Sequence, residues 1–294
     1  MQDEALLSAR ELELLRFQAG RLANLRAHGS SPLSGPQTAW QRGAGLELED
    51  LRPYQLGDDV RHIAWRATAR SGRLISKMFR AERRQRILVL VEQHPGMAFA
   101  TRGELKAAVA SRVCALIGFA ALRQGAEIGG MVAGRESEFF QPGARLDRAL
   151  ALIGAANHAP GHDYATVDPA TSLAQLQQLA GRHDTLYLIS DFQHWNEALL
   201  PLLSQLAERH PVHALQILDE GEQTLTPVGR LRIRSPFDGR ERIIDTDDAN
   251  LRQQYAATME QQQAQLEQLL RRSGVRHERL YTDQEILPVM ARAL

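Results

Sequence analysis

Five consecutive aliphatic residues at 87–91, Ile-Leu-Val-Leu-Val, constrain the fold of this chain more than any other sequence feature. A strand buried on both faces of a parallel sheet reads as such a continuous apolar run, whereas a half-exposed strand alternates apolar and polar residues. Further strands are predicted at 126–132, 185–189, 212–218 and 275–280, with helical patterns between most of them. This alternation predicts an α/β fold with an open, doubly wound, mostly parallel sheet and helices on both faces.

Other patterns lie outside this alternation. Leucines on one helical face predict a helix over 6–26, and a glutamine-rich helix is predicted over 248–272. Residues 138–141 are predicted to form a strand that pairs antiparallel with its predecessor. A β-hairpin insertion is predicted near 228–245, where two short strands flank the turn-forming sequence Pro-Phe-Asp-Gly. The sheet is therefore expected to be mostly, rather than wholly, parallel.

The chain is expected to divide into two segments. Residues 1–85 hold the N-terminal helix and a charged, β-rich motif segment, which we expect to pack on the sheet. Residues 86–294 hold the sheet domain with its hairpin insertion. Hydrophobic residues make up 44% of the 294, which is ample for a buried core.

Charge and cysteine content argue against several classes of protein. Lys plus Arg and Asp plus Glu number 35 each, so no long-range field attracts nucleic acid or an anionic membrane. The single cysteine, Cys114, lies in an apolar helical run and forms no internal disulfide, which is typical of a reducing compartment. No apolar run approaches the roughly 18 residues of a membrane helix, and the N-terminus lacks the apolar region of a signal peptide. We expect a cytoplasmic protein without a transmembrane segment.

The densest set of charged and aromatic residues lies just before the first buried strand. Residues 40–86 contain eleven Lys or Arg against six Asp or Glu, a local net of five positive charges. Arginine forks bind carboxylates and phosphates bidentately, so the segment is predicted to dock an acidic partner. Pairing with the motif's own carboxylates is the alternative, above all for Arg52 and Arg61. The predicted binding residues are Arg52, Tyr54, Asp58, Asp59, Arg61, Trp65, Arg66 and Arg70.

The two aromatic residues of this segment, Tyr54 and Trp65, are predicted to pack the motif onto the sheet, with exposed binding anchors as the alternative. Nucleic acid is not a predicted partner, because aromatic residues are not interleaved with the basic ones. The chain also lacks the glycine-rich phosphate and dinucleotide loops and the nucleophile elbow of hydrolases. The sequence therefore predicts no enzyme, and an unrecognised hydrolase or nuclease stays open as an alternative.

The motif segment resembles a bacterial family, the one numbered fifty-eight among the domains of unknown function. The matching pattern reads Gly45-x-Glu47, Arg52-x-Tyr54 and Gly57-Asp58-Asp59-x-Arg61-x-Ile63-x-Trp65-Arg66, followed by an apolar strand and a Pro-x-Met turn. Members carry a von Willebrand factor A-like domain and are typically encoded beside MoxR-type AAA+ ATPases. The resemblance thus implies that fold and an adaptor role between such an ATPase and a client protein. Ala64 departs from the family, which usually has Asp before the tryptophan.

In the family the first sheet strand commonly ends in Asp-x-Ser-x-Ser, the core of a metal-ion-dependent adhesion site. The matching residues here are Glu92-Gln93-His94-Pro95-Gly96, and Asp191 matches the distal acidic position. Mg²⁺ takes oxygen ligands in near-octahedral geometry, and Glu92, His94 and Gly96 supply few of them. The resemblance therefore implies a degenerate site without a cofactor.

Thr166 is a weak match for the family's central threonine. A Mg²⁺-dependent adhesion module, in which Glu92 and Asp191 hold the cation through waters, stays open as a second alternative. The predicted interaction surface comprises 92–97, 164–166 and 191–195 at the top of the sheet, together with the arginine-rich segment. The client protein, the pathway and the oligomeric state are not predicted.

Overall fold

The computed structural model describes residues 5–28, 46–55, 58–81, 85–134, 136–160, 167–235 and 239–294. The chain divides into two units, one formed by Met1–Gly29 with Gln85–Leu294 and the other by Ser30–Arg84. The predicted division at residue 85, and the packing of the motif segment on the sheet, stay predictions.

The described helices and strands follow each other in this chain order: α1 (Ala9–His28), β1 (Leu46–Pro53), α2 (Trp65–Ser71), β2 (Ile75–Ala81), β3 (Arg86–Glu92), α3 (Lys106–Arg123), β4 (Glu127–Ala133), β5 (Glu138–Gly143), α4 (Leu146–Ala156), α5 (Pro169–Leu179), β6 (Thr185–Ser190), α6 (Leu200–Arg209), β7 (Val212–Leu218), α7 (Glu220–Gln223), β8 (Arg230–Arg234), β9 (Glu241–Asp245), α8 (Ala249–Arg272), β10 (Arg276–Tyr281) and α9 (Leu287–Ala293). Short 3₁₀ turns lie at Val60–His62, Pro95–Met97 and Glu197–Leu199.

Six strands of the larger unit form one sheet in the order β10-β7-β6-β3-β4-β5. All neighbours pair parallel except β4 and β5, which pair antiparallel. From the central strand β3 the chain moves to β4 and β5 on one side and then returns to β6 on the other. Such a reversal of strand order opens a crevice at the carboxyl ends of the two strands that flank it, here β3 and β6. The predicted α/β fold class is confirmed.

The two faces of the sheet are covered by different helices. Ile87, Val89 and Val91 of β3 join a core with residues of α1, α3, α4 and α9. Leu88 and Leu90 join a second core with α5, α6 and α8. Because side chains of a strand alternate between the two faces, a strand that feeds two cores must be apolar at every position.

Predicted elements outside the alternation are also present. The antiparallel β4–β5 pair and the β8–β9 hairpin are confirmed, and the hairpin forms a separate two-stranded sheet. The predicted turn residue 135 and the hairpin residues 236–238 lie outside the described residues. Three short helices, α2, α7 and α9, were not predicted from the sequence. Among the described helices, none combines the length and the continuous apolar surface that crossing a bilayer requires.

The smaller unit is β-rich, as predicted. Strands β1 and β2 pair antiparallel, from Leu46 opposite Ala81 to Pro53 opposite Ile75. Helix α2 lies between them in the chain and ends at Gly72, whose φ of +67° is the left-handed conformation that glycine adopts readily. Ile63 forms an isolated bridge with Ser76, so the turn before α2 is held to β2.

Candidate functional site

The carboxyl edge of the sheet holds a cluster of buried ionisable residues. Glu92 ends β3, Asp191 follows β6 and Asp219 follows β7, and each is almost completely buried. Lys106 is the first residue of α3 and is 0% exposed. The cluster therefore occupies the crevice where the strand order reverses.

The Lys106 ammonium lies between two carboxylates. Its Nζ donates to Asp191 Oδ2 at 2.7 Å and to Glu222 Oε1, on α7, at 2.6 Å. Burial opposes the lysine charge, but the two carboxylates outweigh it and raise the pKa of Lys106 above its ordinary value. Burial raises the pKa of Glu222 despite this contact, so Asp191 is the stronger counter-ion.

Both carboxylate oxygens of Asp191 accept hydrogen bonds. Oδ1 accepts from the backbone N–H of Gln193 and faces Nε2 of His94, each at 3.1 Å, while Oδ2 accepts from Lys106. Burial opposes the ionised form, but Lys106 and His94 hold the pKa of Asp191 well below its usual range. The N–H of Gly96 donates to Nδ1 of His94 at 3.2 Å, so the ring proton of neutral His94 lies on Nε2 and points at Asp191.

Glu92 has a different environment in the same cluster. Its carboxyl group accepts from Ser190 Oγ at 2.5 Å and from Trp195 Nε1 at 3.3 Å. Burial raises the pKa of Glu92 to about 7, although these hydrogen bonds partly offset the effect. Glu92 and Asp191 are thus two buried carboxyl groups with opposite pKa shifts.

Helix α7 is held at the sheet edge by Asp219. This carboxylate accepts from the N–H groups of Thr101 and Gly221 at 3.0 and 2.9 Å, from Thr282 Oγ1 at 2.7 Å and from Thr101 Oγ1. Burial opposes its charge, but the hydrogen bonds lower the pKa of Asp219. A Cβ at Gly221 would lie 2.1 Å from Thr101 Cγ2, so glycine permits this close approach. Asp219 thereby fixes the turn from which Glu222 reaches Lys106.

The predicted metal residues come together, but their donors do not suit Mg²⁺. Glu92, His94 and Asp191 share the sheet edge, whereas Gly96 contributes only a backbone N–H. A divalent cation on Asp191 would have to displace the ammonium of Lys106, which already supplies the positive charge. Within the described ranges, no three His, Cys, Asp or Glu side chains are grouped to hold a metal. Thr166 lies outside those ranges.

In the smaller unit, two of the predicted arginines pair with the motif's own carboxylates. Arg52 Nη2 lies 2.6 Å from Asp58 Oδ1, and Arg61 Nη2 lies 2.8 Å from Asp59 Oδ2. Tyr54 Oη also donates to the Asp58 carbonyl at 3.1 Å. Hydrogen bonds from the Arg61 side chain and backbone lower the pKa of Asp59 to about 2. This geometry corresponds to the internal-pairing alternative for Arg52 and Arg61.

The remaining predicted binding residues lie on α2 and are exposed. Trp65 is 66% exposed, and Arg66 and Arg70 are also exposed. Neither arginine forms an ion pair with any residue that the structure describes. Inside its own unit, Trp65 is therefore an uncovered aromatic residue beside unpaired cations, and its packing on the sheet stays a prediction.

Sequence reasoning did not find Lys106, Glu222 or Asp219. One sequence feature could have indicated Lys106: it is a single cation at the start of an otherwise apolar helical pattern. Glu222 and Asp219 lie in a stretch with no periodicity, and only the fold brings them to the sheet edge.

With this geometry established, comparison with known proteins identifies the family. A family model described as "Protein of unknown function DUF58" matches residues 50–265. The chain belongs to this family. The resemblance of the motif segment is thereby confirmed. The match covers residues 50–84 of the smaller unit and most of the sheet domain.

Three curated relatives are uncharacterized proteins from mycobacteria. Rv1480 and MT1527 of Mycobacterium tuberculosis and Mb1516 of Mycobacterium bovis are each 27% identical to this chain over 260 residues. The aligned part covers 85% of this chain and 79% of each relative. These names assign no activity.

Solved structures show a distant similarity. The conserved hypothetical protein BatB from Bacteroides thetaiotaomicron has a TM-score of 0.42 and 9% identity, and the match covers 71% of this chain and 96% of BatB. A von Willebrand factor type A protein from Catenulispora acidiphila has a TM-score of 0.34 and 14% identity, with 64% of this chain and 44% of that protein covered.

Proposed function

We propose that this DUF58 protein is a non-enzymatic interaction module in the cytoplasm, an adaptor between a MoxR-type AAA+ ATPase and client proteins in their assembly or maturation. The proposal rests on one observation: both carboxylate oxygens of Asp191 already have partners within the protein. Its two oxygens bind Lys106, His94 and the Gln193 N–H, so the crevice is neutralised internally. The ATPase partner is inferred from the family resemblance of the motif segment.

The arrangement of charges supports a non-enzymatic role. A general acid or base must face its substrate with a proton or lone pair available near the working pH. The Lys106 ammonium is fully buried with a raised pKa, and the lowered pKa of Asp191 makes it a poor base. Glu92, with a pKa of about 7, is buried and accepts hydrogen bonds from Ser190 and Trp195. Lys106, Asp191 and Glu92 are all buried and hydrogen-bonded within the protein, so none of the three faces a bound molecule.

The same cluster supports independence from a divalent cation, because the Lys106 ammonium supplies the positive charge that Asp191 requires. Calorimetric titration with Mg²⁺ and with Mn²⁺ tests this. We expect no saturable isotherm for the wild-type protein. A saturable isotherm that Asp191→Asn abolishes would contradict the proposal and favour the cation-dependent adhesion module.

The adaptor role is tested by binding to a MoxR-type ATPase encoded in the same genome. We expect the two purified, folded proteins to associate at micromolar concentrations in biolayer interferometry. An unrelated AAA+ ATPase of the same organism serves as the control for non-specific capture. No association of the MoxR-type protein, with and without ATP and Mg²⁺, would contradict the proposal.

A further inference from the structure

A large cavity lies between the β8–β9 hairpin and the carboxyl edge of the sheet. Its volume is about 1280 Å³. One wall is formed by the hairpin and the other by the loop after β3, by α7 and by the first turns of α8. The apolar residues that face each other across it are Leu231, Ile233 and Ile244 on the hairpin and Phe99, Leu251 and Tyr255 opposite. We call this cavity the hairpin slot.

Three aliphatic residues on one face of the hairpin line the slot, and Arg242, the cross-strand partner of Ile233, shares that face. Leu231 pairs with Ile244 across the two strands, and Ile233 lies on the same face as Leu231 because side chains alternate along a strand. Arg232 and Ile243 form another cross-strand pair and point to the opposite face. Ile233 is nonetheless 44% exposed. The apolar face is therefore directed inward but left partly uncovered.

The base of the hairpin is fixed to the rest of the unit. Thr246 is fully buried, accepts from the Val228 N–H at 2.9 Å and donates to the Gly229 carbonyl at 2.7 Å. Arg252 on α8 donates to the Thr246 carbonyl at 2.7 Å. A two-stranded hairpin is only marginally stable by itself, so these contacts are needed to hold it in place as a wall of the slot. The slot is thus built by specific contacts at its base.

We infer that the hairpin slot binds a segment of a partner protein whose apolar side chains enter the slot and whose ends carry acidic residues. The volume exceeds the few hundred to about 1,000 Å³ of small-molecule pockets and suits a peptide segment. The charged residues that line the slot are Arg102, Arg234, Glu220 and Glu222, and because Glu222 pairs with Lys106, two arginines remain against one carboxylate, which favours acidic ends. The inference rests on the proposed protein-binding function and adds the chemistry of the partner.

The orientation of the hairpin favours a peptide over a lipid surface. Insertion into a bilayer requires apolar side chains on the outer face. Here the outer face carries Arg232 opposite Ile243, and the apolar cluster points inward.

Two fluorescein-labelled peptides with the core Leu-Ile-Leu-Val-Leu test the inference by fluorescence anisotropy. One is flanked by two glutamates on each side and the other by two lysines. We expect saturable binding of the glutamate-flanked peptide and at least about tenfold weaker binding to Ile233→Glu, because a charge would enter the slot. Ile243→Glu is the matched control, since it makes the same change on the outer face, where Ile243 is 68% exposed. It should alter the affinity by less than about twofold.

Four outcomes of the peptide-binding and oligomeric-state measurements would overturn the inference. Three concern binding: no saturable binding of the glutamate-flanked peptide, equal or tighter binding of the lysine-flanked peptide, and equal losses of affinity in Ile233→Glu and Ile243→Glu. The fourth is a dimer of the wild-type protein that Ile233→Glu dissociates, because a second copy of the chain would then occupy the slot. Co-sedimentation with phosphatidylglycerol–phosphatidylcholine vesicles that Ile243→Glu abolishes would likewise replace it with a membrane surface. Circular dichroism melts of both variants verify folding.

Failure of the inference is distinguishable from failure of the proposed function. Wild-type protein that binds the MoxR-type ATPase but not the peptide contradicts the slot alone. Protein that binds the peptide through Ile233 but not the ATPase contradicts the adaptor proposal and leaves the slot in place.

Discussion

At the scale of single residues, the chemistry of this protein depends on a buried ammonium group and the carboxylates around it. Lys106 is 0% exposed and donates to Asp191 and Glu222. A buried charge is tolerated when it is paired and hydrogen-bonded, and removal of one partner leaves the other uncompensated. The stability of the sheet edge therefore depends on the charge of Lys106 more than on its volume.

Lys106→Met keeps most of the side-chain volume and removes the charge. We expect it to lower the free energy of unfolding by about 3–5 kcal/mol, because Asp191 would be left as an uncompensated buried carboxylate. Urea denaturation measures the loss. The double variant Lys106→Met/Asp191→Asn should recover part of it, whereas Arg145→Met, at an exposed site, should change stability by less than about 0.5 kcal/mol. A Lys106→Met protein as stable as the wild type would show that the ion pair is not required.

The raised pKa of Glu92 predicts that its contribution to stability decreases as pH rises, whereas the contribution of most carboxylates decreases as pH falls. Its pKa is raised to about 7 in the folded protein, so between pH 4.5 and 7 the folded state binds its proton more tightly than the unfolded state does. Stability from this group is full below pH 4.5 and is lost as pH rises through 7, by at most about 1.4 kcal/mol per pH unit. The lowered pKa of Asp191 acts in another window, below its ordinary 3.8.

Urea denaturation at several pH values tests this assignment. Glu92→Gln keeps an acceptor for Ser190 and Trp195 but does not titrate, so its stability should fall less than that of the wild type between pH 4.5 and 7. Glu241→Gln on the exposed hairpin is the surface control and should follow the wild type. Parallel curves for Glu92→Gln and the wild type would contradict the raised pKa.

At the scale of secondary-structure elements, two short elements, α7 and the β8–β9 hairpin, position residues that contact distant parts of the chain. Helix α7 has four residues and carries Glu222, and Asp219 holds it against Thr101 and Thr282. The hairpin is likewise held by Thr246 at its base. Neither element contributes much to the sheet cores, yet each forms a wall of the hairpin slot.

Asp219→Ala is predicted to release α7 from the sheet edge. The N–H groups of Thr101 and Gly221 and the hydroxyl of Thr282 lose their acceptor, each at about 1–3 kcal/mol if it stays buried. We expect faster hydrogen exchange of the Gly221 amide by mass spectrometry. Asp247→Ala, which removes an acceptor for Gly229 at the hairpin base, should leave Gly221 unchanged. Unchanged exchange in Asp219→Ala would show that α7 is held by other contacts.

At the scale of the whole molecule, the charges are balanced overall but unevenly distributed. The chain has a net charge of zero, whereas residues 40–86 hold an excess of five positive charges. In the smaller unit Arg52 and Arg61 pair internally, and Arg66 and Arg70 do not within the described residues. The balanced net charge gives no long-range field, and we expect the local cationic patch beside Trp65 to steer an acidic partner.

The proposed ATPase complex should accordingly form more slowly at higher salt. We expect Arg66→Glu/Arg70→Glu to lower the association rate about tenfold or more at low ionic strength and to reduce its salt dependence. Interferometry at increasing NaCl concentration measures both. Arg145→Glu reverses an exposed charge on the other unit and is the matched control. Association rates that the double variant leaves unchanged would exclude this patch from the interface.

The sheet was predictable because a strand that is buried on both faces has a continuous run of apolar residues in the sequence. Strands β3, β6 and β7 feed the two cores and are predominantly apolar along their length, and the long helix α8 shows its apolar stripe. Helix α9 was missed because seven residues at the end of the chain give a periodicity analysis too little to count. The predicted cluster of Glu92, His94 and Asp191 was also accessible, through the family motif.

The sequence by itself determined the order of the strands and longer helices of the sheet domain, the family, and the carboxylates at the ends of β3 and β6, because each of these leaves a pattern among neighbouring residues. Only the tertiary structure decided what those carboxylates bind. Lys106 is 85 positions from Asp191 and 116 from Glu222, and no local pattern records a contact between residues so far apart. The pKa of Glu92 and the hairpin slot likewise arise from burial and packing, which exist only once the chain has folded.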